Sequence, residues 1–525
     1  MREHAFPARI YCLFPSARTV QIMGDITMNL RKYLVFDDIV IQCHDFPDAD
    51  TIASGYAIYT YLTGHGKKPR LIYSGTAEIS KSNLTILINS LEIPLEYVKA
   101  LDHKPQLLIT ADCFYDAKNI THFDAERYAG IDHHAVSHEK NEYDLVCLCG
   151  SCSSIIADLL VKEGFDPKDI NNRKTVTALY YGLYTDTGGT AEISSPFDRD
   201  LRDWSEYCDH TLLSRMIHSN ISLEELKIAG RAFENTVYNK KHRYSVVRTE
   251  ECDPNILGFI SDNVLDVCGV DLCVVYSVLK HGIKLSIRSC AENIRASEVA
   301  EYLANGGGDD KRAGGFIPQS DDLSSFEQIT GFILEKLNEF YESFDVEDTD
   351  TIDLTRFELK NYRRLDRVKG YIRVSDITGD TEGQTVFIRT SETDLYLRAD
   401  KDIYLMVEED GMIYPIKADR FDAIYSEAPE YSFGISGKYK PNIIIKETGR
   451  RRDLSPYIRP CVSKKTDIPV RAAILKRCLK LYTDWSDDRY MTGKPGDYLV
   501  VRDTDGKDIY ISPASKFRNS FGLAD

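Results

Sequence analysis

Four short segments carry side chains suited to gripping divalent cations: His44-Asp-Phe-Pro-Asp48-Ala-Asp50, Asp112, Asp132-His133-His134, and Asp186 in the run GLYTDTGG. Taken singly they are ordinary, because an aspartate that ends a strand is commonly a cap or turn residue. Taken together they are not, since carboxylates cluster only where positive charge cancels their repulsion, and divalent cations do this best. Carboxylates with imidazoles suit a pair of Mn²⁺ or Mg²⁺ ions, and the lack of thiolate ligands argues against structural zinc. A tight turn at Pro47 lets His44, Asp48 and Asp50 face two ions from one loop, and Asp112, from another strand, would bridge both. Two metals about 3.5–4 Å apart acidify a water and hold the oxygens of a phosphoryl centre. The chemistry expected is metal-assisted phosphoester hydrolysis.

The elements that must position these groups alternate. IVIQC, PRLIYS (69–74), PQLLIT (105–110) and RYAGI (127–131) read as strands, and TIASGYAIYTYL (51–62) and SKSNLTILINSL as helices. That order predicts a mainly parallel sheet with helices on both faces, whose ligands sit beyond the carboxyl ends of the strands. Three of the four segments follow a strand directly, and Asp186 leaves a helix at a Gly-rich turn. A helical region from Ser151 to Glu234 ends this unit. A smaller α+β unit follows over 243–345, with strands in HRYSVVRT, DLCVVYSVL and IKLSIRS and a helix in ASEVAEYLAN.

HDFPDAD (44–50), TAD (110–112), DHH (132–134) and TDTGG (185–189) resemble, in order, the four motifs of the DHH family of phosphoesterases. The second unit resembles the DHH-associated substrate-binding domain, with SIRS (286–289) and GGGDDKRAGG (306–315) in place of SxRS and GGGHxxAAGG. This resemblance implies one metal held by His44, Asp48 and Asp112, and a second held by Asp50, Asp112, His133 and Asp186. It places Asp132 beside the metals and His134 at the scissile phosphate, with the roles of the two adjacent histidines open to exchange. Substrate contacts would come from Arg288, Ser289, Gly306, Gly307, Gly308, Gly314 and Gly315, with Arg288 also acting on the phosphate. The family histidine after the third glycine is Asp309 here, an acid that would repel a phosphate oxygen unless Lys311 or Arg312 compensates.

Composition narrows the class. Of 525 residues 65 are basic and 82 acidic, a net charge of −17, which disfavours tracking a long nucleic-acid backbone. No run approaches the roughly 18 apolar residues of a membrane helix, and the N-terminus lacks the apolar core of a secretory signal. Thirteen scattered cysteines suit a reduced, cytoplasmic setting. Cys149-Gly-Ser-Cys152 lacks a second pair for zinc, so helix capping by Ser151 or Ser153 is its reading.

The last 170 or so residues hold an internal repeat: Ile413–Phe421 and Ile509–Phe517 share their spacing, each preceded by an Asp-Gly pair (410–411 and 505–506) and an upstream Tyr-Ile-Arg (371–373 and 457–459). Two β-rich modules are expected, 346–430 and 431–525, after an acidic linker at 345–353. Residues 1–30 form an N-terminal extension, 31–235 the catalytic domain and 243–345 the associated domain. The fold class is therefore α/β: a parallel-sheet domain, a smaller α+β domain and two β-rich repeat modules. The function expected is hydrolysis of short oligoribonucleotides, cyclic dinucleotides or 3′-phosphoadenosine 5′-phosphate with two Mn²⁺ or Mg²⁺ ions. Pyrophosphate or polyphosphate hydrolysis is the enzymatic alternative, and a non-catalytic nucleotide sensor or scaffold the other. The repeats suit recruitment of a protein partner, and a homodimer is compatible with the sequence.

Overall fold

The computed structural model describes residues 29–525 except 135–140, 194, 220, 292–293, 309, 321–322, 324, 366–367, 379–382, 391–392, 437–438, 465–469, 483–489, 503–507 and 525. Most of the N-terminal extension, Asp309 and the Asp505-Gly506 pair thus lie outside the described residues. Contacts divide the chain into two compact units, one up to Ser80 with Leu84–Ser214, the other Lys81–Asn83 with Arg215–Asp525. No helix among the described residues is long and apolar enough to cross a membrane.

In the first unit six strands form one parallel sheet: β1 (Ile39–Cys43), β2 (Arg70–Tyr73), β3 (Leu95–Tyr97), β4 (Leu107–Ala111), β5 (Arg127–Asp132) and β6 (Leu145–Val146). Their order is β3-β2-β1-β4-β5-β6. Every residue of β1 and β4 is buried, as apolar runs covered on both faces must be. Helices α1 (Ala49–Gly64), α2 (Ser82–Leu91), α3 (Cys152–Lys162), α4 (Arg173–Asp186), α5 (Pro196–Arg202) and α6 (His210–Ile217) complete the layers. The strand order reverses between β1 and β4. At such a switch point the connections leave in opposite directions and open a crevice at the carboxyl ends. The segments after β1, β4 and β5 are those singled out in the sequence.

The second unit begins with α7 (Leu223–Glu234) and a sheet of β7 (Thr236–Asn239), β8 (Tyr244–Thr249), β9 (Leu272–Leu279), β10 (Gly282–Ser289), β11 (Gly307–Gly308) and β12 (Arg312–Pro318). Helices α9 (Ala296–Ala304) and α10 (Phe326–Glu342) pack on one face through Val299, Leu303, Ile333 and Leu337. On the other face lie α7 and α8 (Pro254–Leu265), through Ala229, Ile256 and Ile260.

The tail departs from the sequence reading. Asp345–Asp348, expected in a linker, is a strand paired in parallel with Leu479–Tyr482, and Lys480 Nζ sits 4.6 Å from the Tyr341 ring centre at the end of α10. Two five-stranded sheets share one order: Ile413–Lys417, Ile403–Val407, Val368–Arg373, Arg459–Ser463, Tyr425–Glu427 in one, and Ile509–Ser512, Tyr498–Val501, Val470–Ile474, Lys360–Arg364, Phe521–Leu523 in the other. The fourth strand of each comes from the chain just before the third strand of its counterpart, so the repeats exchange strands. The pairing therefore does not divide the tail at residue 430. Ile413–Phe421 and Ile509–Phe517 do correspond, each a strand entering a short helix. The two Tyr-Ile-Arg runs do not: Tyr371 lies on the third strand of its sheet, whereas Arg459 opens the fourth.

Candidate metal centre

The loop after β1 is held in shape by hydrogen bonds to its own acids. Asp45 accepts from Thr121 N at 2.9 Å and Thr121 Oγ1 at 2.8 Å, pinning the loop to the segment after β4. Asp48 is the N-cap of α1: its Oδ1 accepts from Asp50 N and Thr51 N, which leaves Oδ2 turned to His44 Nε2 at 3.6 Å. Asp112 follows β4 with φ +62°, a left-handed backbone that aspartate tolerates better than most residues. Its amide donates to Ile131 O at 2.8 Å, tying this strained turn to β5.

Asp50 is fully buried yet meets backbone donors rather than a cationic side chain. Its Oδ2 accepts from Cys152 N at 2.6 Å and its Oδ1 from Ser153 N at 2.9 Å, at the start of α3. Peptide dipoles concentrate partial positive charge there and stabilise the carboxylate. Ser151 caps that helix by accepting from Ser154 N. On the next helix Gly182 leaves room for the arrangement, since a Cβ there would collide with Ser153 Oγ and lie 2.8 Å from Asp50 Oδ1. Gly182→Ala is therefore expected to displace Asp50 and weaken cation activation about 10–100-fold. A Mn²⁺ titration of activity checks this, and an unchanged half-saturation in a normally melting variant contradicts it.

His133 shows most clearly how the donor atoms are aimed. Its Nδ1 lies 2.9 Å from Cys149 O, an acceptor only, so Nδ1 carries the proton and donates. With Nδ1 so engaged, Nε2 faces Asp112 Oδ1 at 3.2 Å and Asp186 Oδ2 at 3.7 Å. Lone pair facing lone pair is repulsive unless a proton or a metal lies among them. His133 Nε2, Asp112 Oδ1 and His44 Nδ1 are all buried without a hydrogen-bond partner. His44 Nε2 is 3.7 Å from Asp112 Oδ2.

Two sets of ligand atoms thus converge, each within 4.8 Å: His44, Asp48 and Asp112, and Asp50, Asp112, His133 and Asp186. Asp112 belongs to both, and the donor chemistry, oxygens with imidazole nitrogens, fits Mn²⁺ or Mg²⁺. A third set joins Asp112 and His133 to Asp132 and His134. Asp132 Oδ1 accepts from both His134 N and His134 Nδ1, the latter at 2.8 Å, and so turns His134 Nε2 outward on a side chain 62% exposed.

Crowding of these acids and imidazoles shifts their proton affinities. Burial opposes protonation of His44, but the Asp48 and Asp112 carboxylates outweigh it and push the imidazole up to about 10. Burial, then the Asp112 charge, raises Asp50 to about 7. Asp186 is raised well above its ordinary value by burial and then by Asp48, Asp50 and Asp112. Burial would raise Asp112 too, yet His133 and His44 hold it down. Both Asp50 and His44 bind protons more tightly in the folded ion-free protein than in the unfolded chain. The stability these two groups contribute is accordingly lost as pH rises, through about 7 for Asp50 and about 10 for His44. A bound cation replaces the protons. Mn²⁺ is therefore expected to raise the melting temperature, relative to EDTA, more at about pH 8.5 than at about pH 6, and an equal or smaller shift at the higher pH contradicts this.

The expected substrate contacts in the second unit divide. Arg288 is anchored, its Nε donating to Asp262 at 2.7 Å and its Nη1 to Ser286 Oγ and Ile287 O. Ser289, expected at the substrate, is turned inward at 3% exposure and donates to Ile294 O, so it holds its own loop. Three of the glycines answer to packing. A Cβ on Gly306 would strike Gly314 O, one on Gly308 would strike Arg312 O, and one on Gly315 would lie 2.7 Å from Ala304 Cβ. Gly307 is exposed with open space around it, and Gly314 would meet only Leu285 O.

Residues 38–183 match the DHH family, N-terminal domain. No curated protein matches the sequence. Among solved structures the chain is similar to an exopolyphosphatase-related protein from Bacteroides fragilis, at 18% identity over 59% of this chain and 95% of that one, with a TM-score of 0.49. It is also similar to RecJ in complex with Mg²⁺ from Thermus thermophilus, at 13% identity over 72% and 65% of the two chains, TM-score 0.30. A pGpG-specific phosphodiesterase from Vibrio cholerae matches at 12% identity over 57% and 99%, TM-score 0.25.

Proposed function

We propose that the chain, whose residues 38–183 match the DHH family's N-terminal domain, is a phosphoester hydrolase that cleaves short nucleotides. The substrates meant are short oligoribonucleotides first, then cyclic dinucleotides and 3′-phosphoadenosine 5′-phosphate. The observation that carries the reading is the buried, unpartnered facing of His133 Nε2 and Asp112 Oδ1 at the switch point of the sheet. His44, Asp48 and Asp112 would hold one Mn²⁺ or Mg²⁺ ion, and Asp50, Asp112, His133 and Asp186 a second. Two such ions, when bound, supply an activated water and neutralise charge on the phosphoryl oxygens.

The chain's own groups do the rest. The N-terminus of α3 fixes Asp50, and the Cys149 carbonyl fixes the tautomer of His133. The hydrogen bond that His134 Nδ1 donates to Asp132 raises the affinity of His134 for a proton, and burial only partly offsets it. His134 then holds a proton at Nε2, from which the leaving oxygen can take it. Arg288 and the open backbone at Gly307 are the substrate contacts we assign to the associated domain. A net charge of −17 favours small substrates over long polyanions. A cytoplasmic location belongs to the same proposal, since the free thiols Cys43, Cys113 and Cys152 persist in a reducing compartment.

The test is turnover of linear and cyclic dinucleotides, 3′-phosphoadenosine 5′-phosphate, pyrophosphate and polyphosphate with Mn²⁺ or EDTA. Cation-dependent release of mononucleotides or adenosine monophosphate is expected. Turnover of pyrophosphate or polyphosphate alone would move the enzyme to that substrate class. Saturable nucleotide binding without turnover would make the protein a sensor.

A further inference from the structure

The tail contains a four-stranded antiparallel sheet in the order Asp394–Arg398, Thr385–Arg389, Asn442–Ile445, Arg450–Asp453. Side chains alternate between its faces. Val386, Ile388, Leu395, Leu397 and Ile443 point inward and join the core beneath. The opposite face carries a row in register across all four strands: Tyr396 faces Phe387, Phe387 faces Ile444, and Ile444 faces Arg451. Tyr396 is 63% exposed, and its ring centre lies 5.0 Å from that of Phe387.

Cations surround the two rings. Lys446 Nζ is 5.0 Å from the Tyr396 ring centre, and the Arg389 guanidinium is 5.0 Å from that of Phe387. Arg398, two residues beyond Tyr396 on the same strand, and Arg451 are exposed. Among the described residues, the acids at this face are Asp394, paired with Arg389 at 2.8 Å, Glu447, which lies beside Lys446 and accepts from Thr385 N at 2.8 Å, and Asp453, at the rim, which accepts from Ser455 N. In a chain of net charge −17 this is a local positive surface with aromatic rings at its middle.

We propose that this face binds single-stranded nucleic acid, with bases stacked on Phe387 and Tyr396 and phosphates held by Arg398, Lys446 and Arg451. Neighbouring strands set the two rings at the spacing of one base beside the next, and flat rings on a sheet accept bases only when these are unpaired and splayed. A duplex keeps its bases stacked on one another and presents no ring face to them. The cations argue against an apolar protein partner, which would strip their water and offer no charge in return. The proposal does not depend on which phosphoester the DHH domain cleaves.

The test is fluorescence anisotropy of labelled ten-nucleotide RNA, DNA and duplex with the full-length Asp112→Asn protein in EDTA, where nothing is cut. An excess of unlabelled dinucleotide fills the hydrolytic site. Binding of single strands is expected to persist, and to fall at least tenfold in the Phe387→Ala/Tyr396→Ala variant. Lys446→Ala is expected to lower the salt slope by about one. Tyr396→Ser, at an exposed position, covers the case in which the double variant unfolds. In the otherwise wild-type chain it is expected to leave cleavage of a nitrophenyl phosphodiester unchanged. Preference for RNA or for DNA supports the proposal equally. Complete displacement by dinucleotide, equal binding of duplex, equal competition by polyglutamate, or unchanged affinity in the aromatic variants overturns it. Failure of the hydrolytic reading shows instead as absent turnover in the wild type, with this binding intact.

Discussion

Asp112→Ala is expected to lower cation-dependent hydrolysis by roughly a thousandfold or more, because Asp112 alone lies in both ligand sets. Loss of a group that merely orients a ligand typically costs about 10–100-fold, and a shared ligand should cost more. The backbone complicates alanine, since Asp112 has φ +62° and alanine is less at ease there. Asp112→Asn keeps the shape and the tolerance of a left-handed backbone while removing the charge. A loss of similar size in Asp112→Asn, with its melting temperature in EDTA near that of the parent, makes the effect chemical rather than structural. Initial rates across a Mn²⁺ titration decide it. Retention of more than a few per cent of turnover by either variant would remove Asp112 from its bridging role.

His134→Ala should be the next most damaging change, lowering kcat by about 10²–10³-fold on a nucleotide, where the departing ribose oxygen needs a proton. The same variant should lose less than about tenfold on a nitrophenyl phosphodiester, whose weakly basic leaving group needs none. A group acting only by packing would depress both substrates alike, so the ratio of the two losses separates a proton donor from a scaffold. Asp132→Asn provides a second readout. Asp132 raises the proton affinity of His134 through a 2.8 Å hydrogen bond. Its loss should move the alkaline limb of the pH–rate profile to lower pH, whereas an unmoved limb assigns the donor elsewhere.

The residues at the switch point were legible because side chains of one chemical type recur where strands end, and a parallel sheet gathers strand ends into one place. What holds those residues was not. Asp50 is gripped by the amides of Cys152 and Ser153, and His133 is oriented by the Cys149 carbonyl. Backbone donors and acceptors are the same whatever the residue, so nothing in the letters CLCGSC marks them, although Ser151 was readable as a cap. Ser289 shows the converse limit: a motif position gives a residue type but not the direction its side chain takes. The tail was hardest. Spacing identified the strand–helix pairs at Ile413–Phe421 and Ile509–Phe517, which are local. The exchange of Lys360–Arg364 and Arg459–Ser463 between sheets depends on pairings some hundred residues apart. The acidic run at Asp345–Asp348 looked like a linker because its partner, Leu479–Tyr482, lies still farther along the chain.

The central claim is that acids and imidazoles from four segments surround two cations. Crystals of the full-length protein soaked in Mn²⁺, with diffraction collected at the manganese absorption edge, test it directly. Two anomalous peaks are expected, one on each side of the Asp112 carboxylate, the first touching His44 and Asp48 and the second touching Asp50, His133 and Asp186. No peak in this pocket, or a single peak that leaves Asp112 untouched, would contradict the claim.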